Sequence, residues 1–203
     1  MKIERFVLGS LATNCYLVEN EETKELVVID PATCPDEIIG HVRRQGYEPK
    51  AILLTHGHFD HVMGIDRWAH EFGIPVYLYE DEKEVLSNPE WNLSAMFGKP
   101  YSYSDGIGVN DGEVLSLAGL SFRVLHTPGH TKGGCCYYVE EEDALFSGDT
   151  LFFQSIGRTD FPTGNMSILA RSIRERLFAL PDETKVYPGH GDYTSIGDEI
   201  LRT

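Results

Sequence analysis

Residues 51 to 61 read Ala51-Ile52-Leu53-Leu54-Thr55-His56-Gly57-His58-Phe59-Asp60-His61, an apolar run that leads directly into histidine and aspartate. The apolar run predicts a buried strand, and the polar residues predict a loop at its end. Because side chains alternate along an extended backbone, His56 and His58 point to the same side, whereas the adjacent Asp60 and His61 can diverge. Neutral imidazole and carboxylate suit zinc or iron better than calcium or magnesium. The stretch therefore predicts ligands for two neighbouring metal ions rather than a loop with scattered histidines.

Three later segments repeat this pattern of an apolar run, a small residue or turn former, and then histidine or aspartate. They place His130 after residues 120–125, Asp149 after residues 144–148 and His190 after residues 185–189. Side chains on loops at strand ends are held by a rigid sheet and stay accessible to a substrate. We therefore expect these three residues to join the ligands of residues 56–61.

Together these motifs resemble the metallo-β-lactamase superfamily, and within it the small glyoxalase II-like (hydroxyacylglutathione hydrolase-like) hydrolases, from about Phe6 to His190. The resemblance implies an α/β (α+β) fold, an αββα sandwich of two mixed sheets flanked by helices. It implies two divalent metal ions per chain, with zinc favoured and iron or manganese as alternatives. It assigns the first ion to His56, His58 and His130. It assigns the second to Asp60, His61 and His190, with Asp149 bridging the two.

The same resemblance implies hydrolysis of a thioester, such as an S-acylated glutathione, by a hydroxide that bridges the two ions. Asp60 and Asp149 are the expected catalytic residues, because Asp149 would set the spacing of the ions and Asp60 could orient the hydroxide. Asp149 stands where β-lactamases of the superfamily place a cysteine, which argues against hydrolysis of antibiotics. His58 stands where the diiron flavoproteins place a glutamate, which argues against their redox chemistry.

A second reaction class stays open on the same scaffold, a mononuclear iron persulfide dioxygenase. That branch shares the His-x-His-x-Asp-His motif and a segment similar to Gly157-Arg158-Thr159-Asp160-Phe161. It is described as holding one iron with the residues that correspond to His56, His130 and Asp149. Metal content separates the two classes, since two ions per chain predict the hydrolase and one iron predicts the dioxygenase.

Arg158 is the expected substrate-binding residue, because its planar guanidinium can pair with a carboxylate on the thiol portion through two hydrogen bonds. The alternative is a local ion pair with Asp160. Larger glyoxalase II enzymes carry a C-terminal helical domain that completes the thiol pocket, whereas thirteen residues follow His190 here. We therefore expect a single domain over residues 1–203 without that helical domain, and a thiol partner that need not be glutathione.

Composition restricts the class of protein and its partners. The 203 residues include 41% hydrophobic and 24% charged residues, and the formal net charge is −15. This acidity argues against nucleic acid as a partner, and hence against the RNA-processing branch. No apolar run approaches the ~18 residues of a membrane span and no signal peptide is visible, so we expect a cytoplasmic protein that acts on a small molecule. Without a C-x-x-C motif, free thiols are expected at Cys15, Cys34, Cys135 and Cys136.

Hydrophobic periodicity and turn residues predict the order of elements. Strands are predicted at residues 3–8, 14–19, 25–30, 51–54, 75–79, 113–117, 120–126, 134–139, 144–147 and 184–187. Helices are predicted at residues 35–46, 63–72, 81–86 and 165–179. A long loop is expected over residues 88–112, and Thr55, Gly148 and Thr131 are expected to support the metal ligands.

Overall fold

Two six-stranded β-sheets lie face to face in the computed structural model, which describes residues 1–201. The strands of the first sheet follow chain order and are β1 (Lys2–Leu8), β2 (Thr13–Glu19), β3 (Glu25–Ile29), β4 (Glu48–Leu53), β5 (Val76–Tyr79) and β6 (Ile107–Val109). Strands β1 to β3 are antiparallel neighbours, whereas β3 to β6 run parallel. The carboxyl ends of β3, β4 and β5 therefore lie at one edge of the sheet.

The second sheet is built from the later part of the chain. It begins with β7 (Val114–Leu117), β8 (Leu120–His126), β9 (Cys135–Val139) and β10 (Ala144–Gly148). The chain then forms a hairpin of β11 (Leu151–Phe152) and β12 (Ser155–Ile156), and it returns to the sheet with β13 (Lys185–Pro188) and β14 (Thr194–Ser195). Strands β8 and β10 both run antiparallel to β9, and β13 runs parallel to β10. The loops that follow β8, β10 and β13 therefore emerge at the same edge.

Helices cover the outer faces of the two sheets. They are α1 (Asp36–Gln45), α2 (Phe59–Val62), α3 (Ile65–Phe72), α4 (Glu82–Ser87), α5 (Met166–Ser172) and α6 (Ile196–Ile200). Helix α5 continues as one stretch of π-helix, Ile173–Leu177, and a 3₁₀ turn follows β9 at Glu140–Glu142. Within residues 1–201, no helix has the length and apolar character needed to cross a bilayer.

Strand β2 shows how the sequence produces this layered arrangement. All seven of its residues are buried, as expected for a strand that is covered on both faces. Cys15 and Leu17 pack into the apolar layer under α1 and α3, whereas Tyr16 and Val18 pack into the layer between the two sheets. A third apolar layer, which includes Leu169, separates the second sheet from α5. The αββα architecture is therefore confirmed.

The structure departs from the predicted elements in a few places. Strand β6 lies at the end of the predicted loop 88–112, because its three residues pair with β5 at the sheet edge and carry too little apolar pattern to be seen in the sequence. The segment Phe59–Val62 forms a short helix within the metal-ligand motif. The helix predicted over residues 165–179 is α-helical only over Met166–Ser172.

Candidate metal centre

Five histidines from three loops form one cluster at the edge where the strands end. The ring centre of His56 lies 4.2 Å from that of His61, 4.8 Å from that of His58 and 4.8 Å from that of His130. His190 joins from the far end of the chain, with its ring centre 5.3 Å from that of His61. Four of the rings are buried, and only His190 is partly exposed. The fold therefore brings together every histidine that was predicted as a ligand.

Three groups of potential ligand atoms lie in the cluster, the third being Asp30, His56 and His61, and the other two contain only residues that were predicted as ligands. The nitrogen atoms of His56, His58 and His130 lie within 4.8 Å of one another, and so do the ligand atoms of a second group. That second group consists of Asp60, His61 and His190. In it, Asp60 Oδ2 lies 3.4 Å from His61 Nε2 and 3.2 Å from His190 Nε2. The resemblance assigned one metal ion to each of these two groups, and that assignment stays a prediction.

Asp149 faces both groups. Its Oδ1 lies 3.4 Å from His61 Nε2, and its Oδ2 lies 3.5 Å from both His130 Nε2 and His190 Nε2. It follows β10 directly, and the β10–β13 pairing sets it beside the loop that carries His190. A carboxylate in this place can contact ions held by either group.

The polar atoms that face the middle of the cluster fit a metal ion. His56 Nε2, His61 Nε2 and Asp149 Oδ1 are all buried without a hydrogen-bond partner among the described residues. A buried polar atom left in this state costs about 1–3 kcal/mol, so a native protein retains several of them together only for a reason. Imidazole nitrogen with carboxylate oxygen is a donor set for zinc, iron or manganese. Metal ions held by the two groups would together satisfy these three atoms.

The electrostatics of the cluster favour bound cations. Burial lowers the pKa of His56 well below its ordinary value and that of His58 to about 3, so both imidazoles are neutral near pH 7 and can act as ligands. Burial also disfavours charge on His61, but the neighbouring Asp60, Asp149 and Asp30 raise its pKa well above the ordinary value. The carboxylates therefore favour positive charge at this point, and metal ions would supply it.

Asp30 orients the cluster from beneath, and the sequence analysis did not identify it. Its carboxylate accepts hydrogen bonds from the Thr55 amide (2.8 Å), the Thr55 hydroxyl (2.6 Å) and His61 Nδ1 (2.9 Å). The Thr55 oxygen lies 3.1 Å from His56 Nδ1, so Thr55 supports a predicted ligand as expected. These contacts aim the Nε2 atoms of His56 and His61 at the centre. The sequence feature that could have identified Asp30 is its position directly after the apolar residues of β3, the same pattern as the predicted ligands. The structure adds that Asp30 has a positive φ of 49°.

The other histidines are oriented by backbone carbonyl groups. His130 Nδ1 lies 2.7 Å from the carbonyl oxygen of Arg158, and His190 Nδ1 lies 3.1 Å from that of Leu11. Each contact lets Nδ1–H donate, so that Nε2 faces the cluster, where His130 Nε2 lies 2.9 Å from His58 Nδ1 and His190 Nε2 lies 3.2 Å from Asp60 Oδ2. His126, by contrast, stacks on Tyr79 with ring centres 3.9 Å apart and lies outside the cluster.

Two glycines allow the loops to approach this closely. A Cβ at Gly189 would lie 2.2 Å from Asp149 Oδ1 and 2.7 Å from His61 Cε1. A Cβ at Gly148 would lie 2.2 Å from Thr55 Oγ1, and its φ of +50° is itself one that side chains rarely adopt. Gly148 therefore supports the site, as expected, by making room for Thr55 next to Asp149.

The start of β2 holds the loops of the second ligand group. The Thr13 hydroxyl donates to Asp60 Oδ2 (2.8 Å). Asn14 Nδ2 donates to the carbonyl groups of Pro188 (2.9 Å) and Gly191 (3.0 Å), one on each side of His190. The backbone N–H of Asn14 also donates to the Gly189 carbonyl group (2.7 Å). The sequence showed no sign of this clamp, because its two halves are more than 170 residues apart.

Replacing Asn14 with alanine should lower the free energy of unfolding by about 2 kcal/mol, because two hydrogen bonds are lost at a buried position. Urea denaturation followed by circular dichroism measures the change. The exposed Asn110 provides the control, and its alanine variant should stay within about 0.5 kcal/mol of the parent. Equal stabilities of the two variants would contradict the role given to Asn14.

Arg158 lies beside the site, and its guanidinium forms an ion pair with Asp160. Its Nε and one terminal nitrogen donate to the Asp160 carboxylate at 2.7 Å and 2.6 Å, and its guanidinium lies 4.0 Å from the ring centre of Phe161. The side chain is 60% exposed, so a ligand can reach it. The local pair that the sequence left as an alternative is thus present, and a substrate carboxylate would compete with Asp160.

Phenylalanine side chains border the cluster. The ring of Phe161 lies 5.8 Å from that of His58, and the ring of Phe152 lies 6.2 Å from that of His190. Phe59, within the metal-ligand motif, stacks on the half-exposed Phe97 at 4.2 Å, so the segment 88–106 folds over this side of the site. These rings provide apolar contact area next to the candidate ligands.

A family model for the metallo-beta-lactamase superfamily matches residues 8–190, the part of the chain that contains all seven candidate ligands. The chain belongs to this superfamily. Its members are metal-dependent hydrolases.

Two curated relatives of this superfamily member match it over nearly their whole length. The probable metallo-hydrolase YqgX of Bacillus subtilis is 37% identical over 202 residues, covering 97% of this chain and 93% of that protein. The hydroxyacylglutathione hydrolase GloC of Haemophilus influenzae is 35% identical over 202 residues, covering 98% of this chain and 95% of that protein.

Solved structures of the superfamily superimpose closely on the chain. BLEG-1, described as a B3 metallo-beta-lactamase, has a TM-score of 0.93 at 40% identity and covers 98% of this chain and 97% of its own. TTHA1623, in a di-iron-bound form, has a TM-score of 0.86 at 37% identity with coverage of 97% and 96%. ETHE1 from Myxococcus xanthus has a TM-score of 0.82 at 30% identity with coverage of 98% and 81%.

Proposed function

We propose that the protein is a dinuclear metal-dependent thioesterase that acts on S-acylglutathione-like thioesters. The observation that carries the proposal is the position of Asp149, which faces two complete groups of ligand atoms. The similarity to a hydroxyacylglutathione hydrolase over 98% of the chain supports the substrate class. Zinc is the proposed metal, and the di-iron form of TTHA1623 keeps iron as an alternative.

A side-chain nucleophile is a poor alternative for this reaction. Burial raises the pKa of Cys15 and Cys135 well above the ordinary value and those of Cys34 and Cys136 to about 11, so these thiols are protonated at neutral pH. All four cysteines are free, which agrees with the proposed cytoplasmic location.

Two divalent ions in this site would supply a water of low pKa, near 7, and Lewis acidity towards the substrate carbonyl. The residues of the chain would place that chemistry. Asp149 would hold both ions, and the two histidine groups would hold one each. Burial disfavours charge on Asp60, but His61, His190 and Thr13 keep its pKa below the ordinary value, so it is a carboxylate at neutral pH. Because Thr13 occupies Oδ2, the second oxygen of Asp60 can accept a hydrogen bond from the attacking water.

The surroundings of the site suit an acyl thioester. Phe152, Phe161 and the Phe59–Phe97 pair provide apolar contacts for an acyl group and limit access of bulk water. Arg158 is the proposed partner of a carboxylate on the thiol portion. The acidic chain, with a net charge of −15, offers no attraction to nucleic acid.

A substrate panel tests the proposal. We expect the highest kcat/KM with an S-acylglutathione, ahead of an acyl-coenzyme A and a β-lactam, with the thioesters measured by released thiol and the β-lactam by the absorbance change on ring opening. The similarity to BLEG-1 places the β-lactam in the panel, and faster turnover of it would replace the proposal. Glutathione persulfide with an oxygen electrode tests the dioxygenase alternative. Oxygen consumption by protein that contains one iron per chain would favour that alternative.

Replacing Arg158 with alanine should raise KM for the best thioester several-fold and change kcat little, because the residue is expected to bind the thiol portion away from the reacting carbonyl. Steady-state kinetics measure both constants. Arg123 offers a matched control, since it also forms an exposed ion pair, with Glu140 at the opposite end of the sheet. An unchanged KM in the Arg158 variant would mean that the guanidinium serves only its pair with Asp160.

A further inference from the structure

Glu82 is a fully buried carboxylate that joins the two loops carrying the first ligand group. Its Oε1 accepts a hydrogen bond from the Gly57 amide (2.7 Å). Its Oε2 accepts from the Thr131 hydroxyl (2.9 Å) and the Gly133 amide (2.9 Å). Glu82 is the first residue of α4 and has no exposed surface. The side chain therefore spans from one loop to the other without contact with water.

The residues that Glu82 contacts are next to metal-ligand positions. Gly57 lies between His56 and His58, and Thr131 follows His130. A carboxylate that accepts hydrogen bonds from both backbones fixes the distance between the two histidine-bearing loops. Burying a carboxylate without partners costs folding free energy, and the three hydrogen bonds to Glu82 offset this cost.

The two ligand-bearing loops pack closely against helix α4 at Gly57 and Gly133. A Cβ at Gly133 would lie 2.3 Å from the Glu82 amide nitrogen, and a Cβ at Gly57 would lie 3.0 Å from the Leu86 nitrogen. Glycine at these two positions lets both loops lie directly on α4. Helix α4 therefore acts as a rigid support on which the first ligand group is assembled.

The second ligand group has supports that Glu82 does not contact, although one of them, Asp30, also reaches His56 of the first group through Thr55. Asp60 is held by Thr13, the loop of His190 by Asn14, and His61 by Asp30. None of the hydrogen bonds of Glu82 described above reaches these three supports. We propose that Glu82 is a positioning residue for the His56, His58 and His130 group alone, so that the two metal positions can be weakened independently. This inference rests on the proposed dinuclear centre.

The test measures metal affinity in two backgrounds. His190→Ala removes a ligand of the second group and should leave one high-affinity Co²⁺ position, in the first group. Adding Glu82→Gln should raise the Kd for Co²⁺ at least about tenfold, the scale for groups that orient metal ligands. The side-chain amide of glutamine can accept on one side only, so its NH₂ would face the backbone N–H of either Gly57 or Gly133, with two donors in conflict. His58→Ala removes a ligand of the first group, so Co²⁺ then binds at the second group. In that background Glu82→Gln should leave the Kd for Co²⁺ unchanged.

Two controls separate positioning from a general loss of structure. Glu84 lies on the same helix, with its side chain 62% exposed and paired with Lys132 at the surface, and because exposed ion pairs are weak, Glu84→Gln should leave both affinities unchanged. Thr131→Val removes one donor while it retains the carboxylate, and it should weaken Co²⁺ binding in the same background by a smaller factor. The visible absorption of Co²⁺ in the His190→Ala protein should change with Glu82→Gln and stay the same with Glu84→Gln.

Three results would overturn the inference. Equal losses of affinity in both backgrounds would make Glu82 a general structural residue. Unchanged affinity in the His190→Ala background would remove its positioning role while leaving the metal centre intact. Absence of Co²⁺ binding by His190→Ala protein, with normal folding by circular dichroism, would overturn the proposed centre itself and the inference with it.

Discussion

Asp149→Asn is expected to lower kcat/KM for the best thioester by about 10³-fold or more while the protein stays folded. The carboxylate faces His61, His130 and His190, and its Oδ1 is buried without a hydrogen-bond partner among the described residues. An amide removes the negative charge and offers NH₂ donors towards metal ions. Loss of several kcal/mol of transition-state stabilisation corresponds to this factor. Released thiol and metal content per chain, measured on the same sample, check the result.

The control for this variant is Asp192→Asn, an aspartate two residues beyond His190 whose side chain is 83% exposed. It should retain the parental rate, since its carboxylate points to solvent near Arg5. If Asp149→Asn retains more than about a tenth of the parental rate with both ions bound, Asp149 does not act as the shared ligand.

Removal of divalent metal is expected to abolish thioester hydrolysis and to lower the free energy of unfolding. The buried Nε2 atoms of His56 and His61 lose the partner proposed for them, and three carboxylates are left around His61. A ligand present at 1,000 times its Kd stabilises a folded protein by about 4 kcal/mol per site, which sets the scale of the loss. Dialysis against a chelator, followed by urea denaturation and the thiol-release assay, measures both effects.

Reconstitution identifies the metal that works. Zinc, iron(II) and manganese(II) are added separately to the metal-free protein, and we expect zinc to restore both rate and stability at two ions per chain. Protein treated with a chelator that is already saturated with zinc serves as the control and should keep its activity. Full hydrolysis by protein with less than about a tenth of an ion per chain would contradict the proposed chemistry.

Much of the site could be predicted because its information is local. Each ligand type lies within a few residues of the end of a strand, as His56 does after β4 and Asp149 after β10, and strand ends aim such residues at a common edge. The resemblance to a known superfamily then implied how the seven residues divide between two metal ions, and that division stays a prediction. The αββα layers were predicted in the same way and are confirmed.

The supports of the site could not be predicted because their partners are distant along the chain. Asn14 contacts the loop of His190, which lies more than 170 residues later in the chain. Glu82 accepts hydrogen bonds from Gly57, which precedes it in the sequence, and from Gly133, which follows it. The role of Glu82 depends on burial, which turns an ordinary helix-start glutamate into a hydrogen-bond acceptor for two loops. The partner of Arg158 was equally undecided between Asp160 and a substrate.

The sequence by itself determined the ligand chemistry and the places where ligands follow strands, since alternation along a strand and adjacency in a loop are local geometric rules. Only the tertiary structure decided which carboxylates and hydroxyls hold those ligands, among them Asp30, Thr13 and Glu82. The physical reason is that hydrogen-bond partners and desolvation arise from packing, and packing joins residues without regard to their separation in sequence.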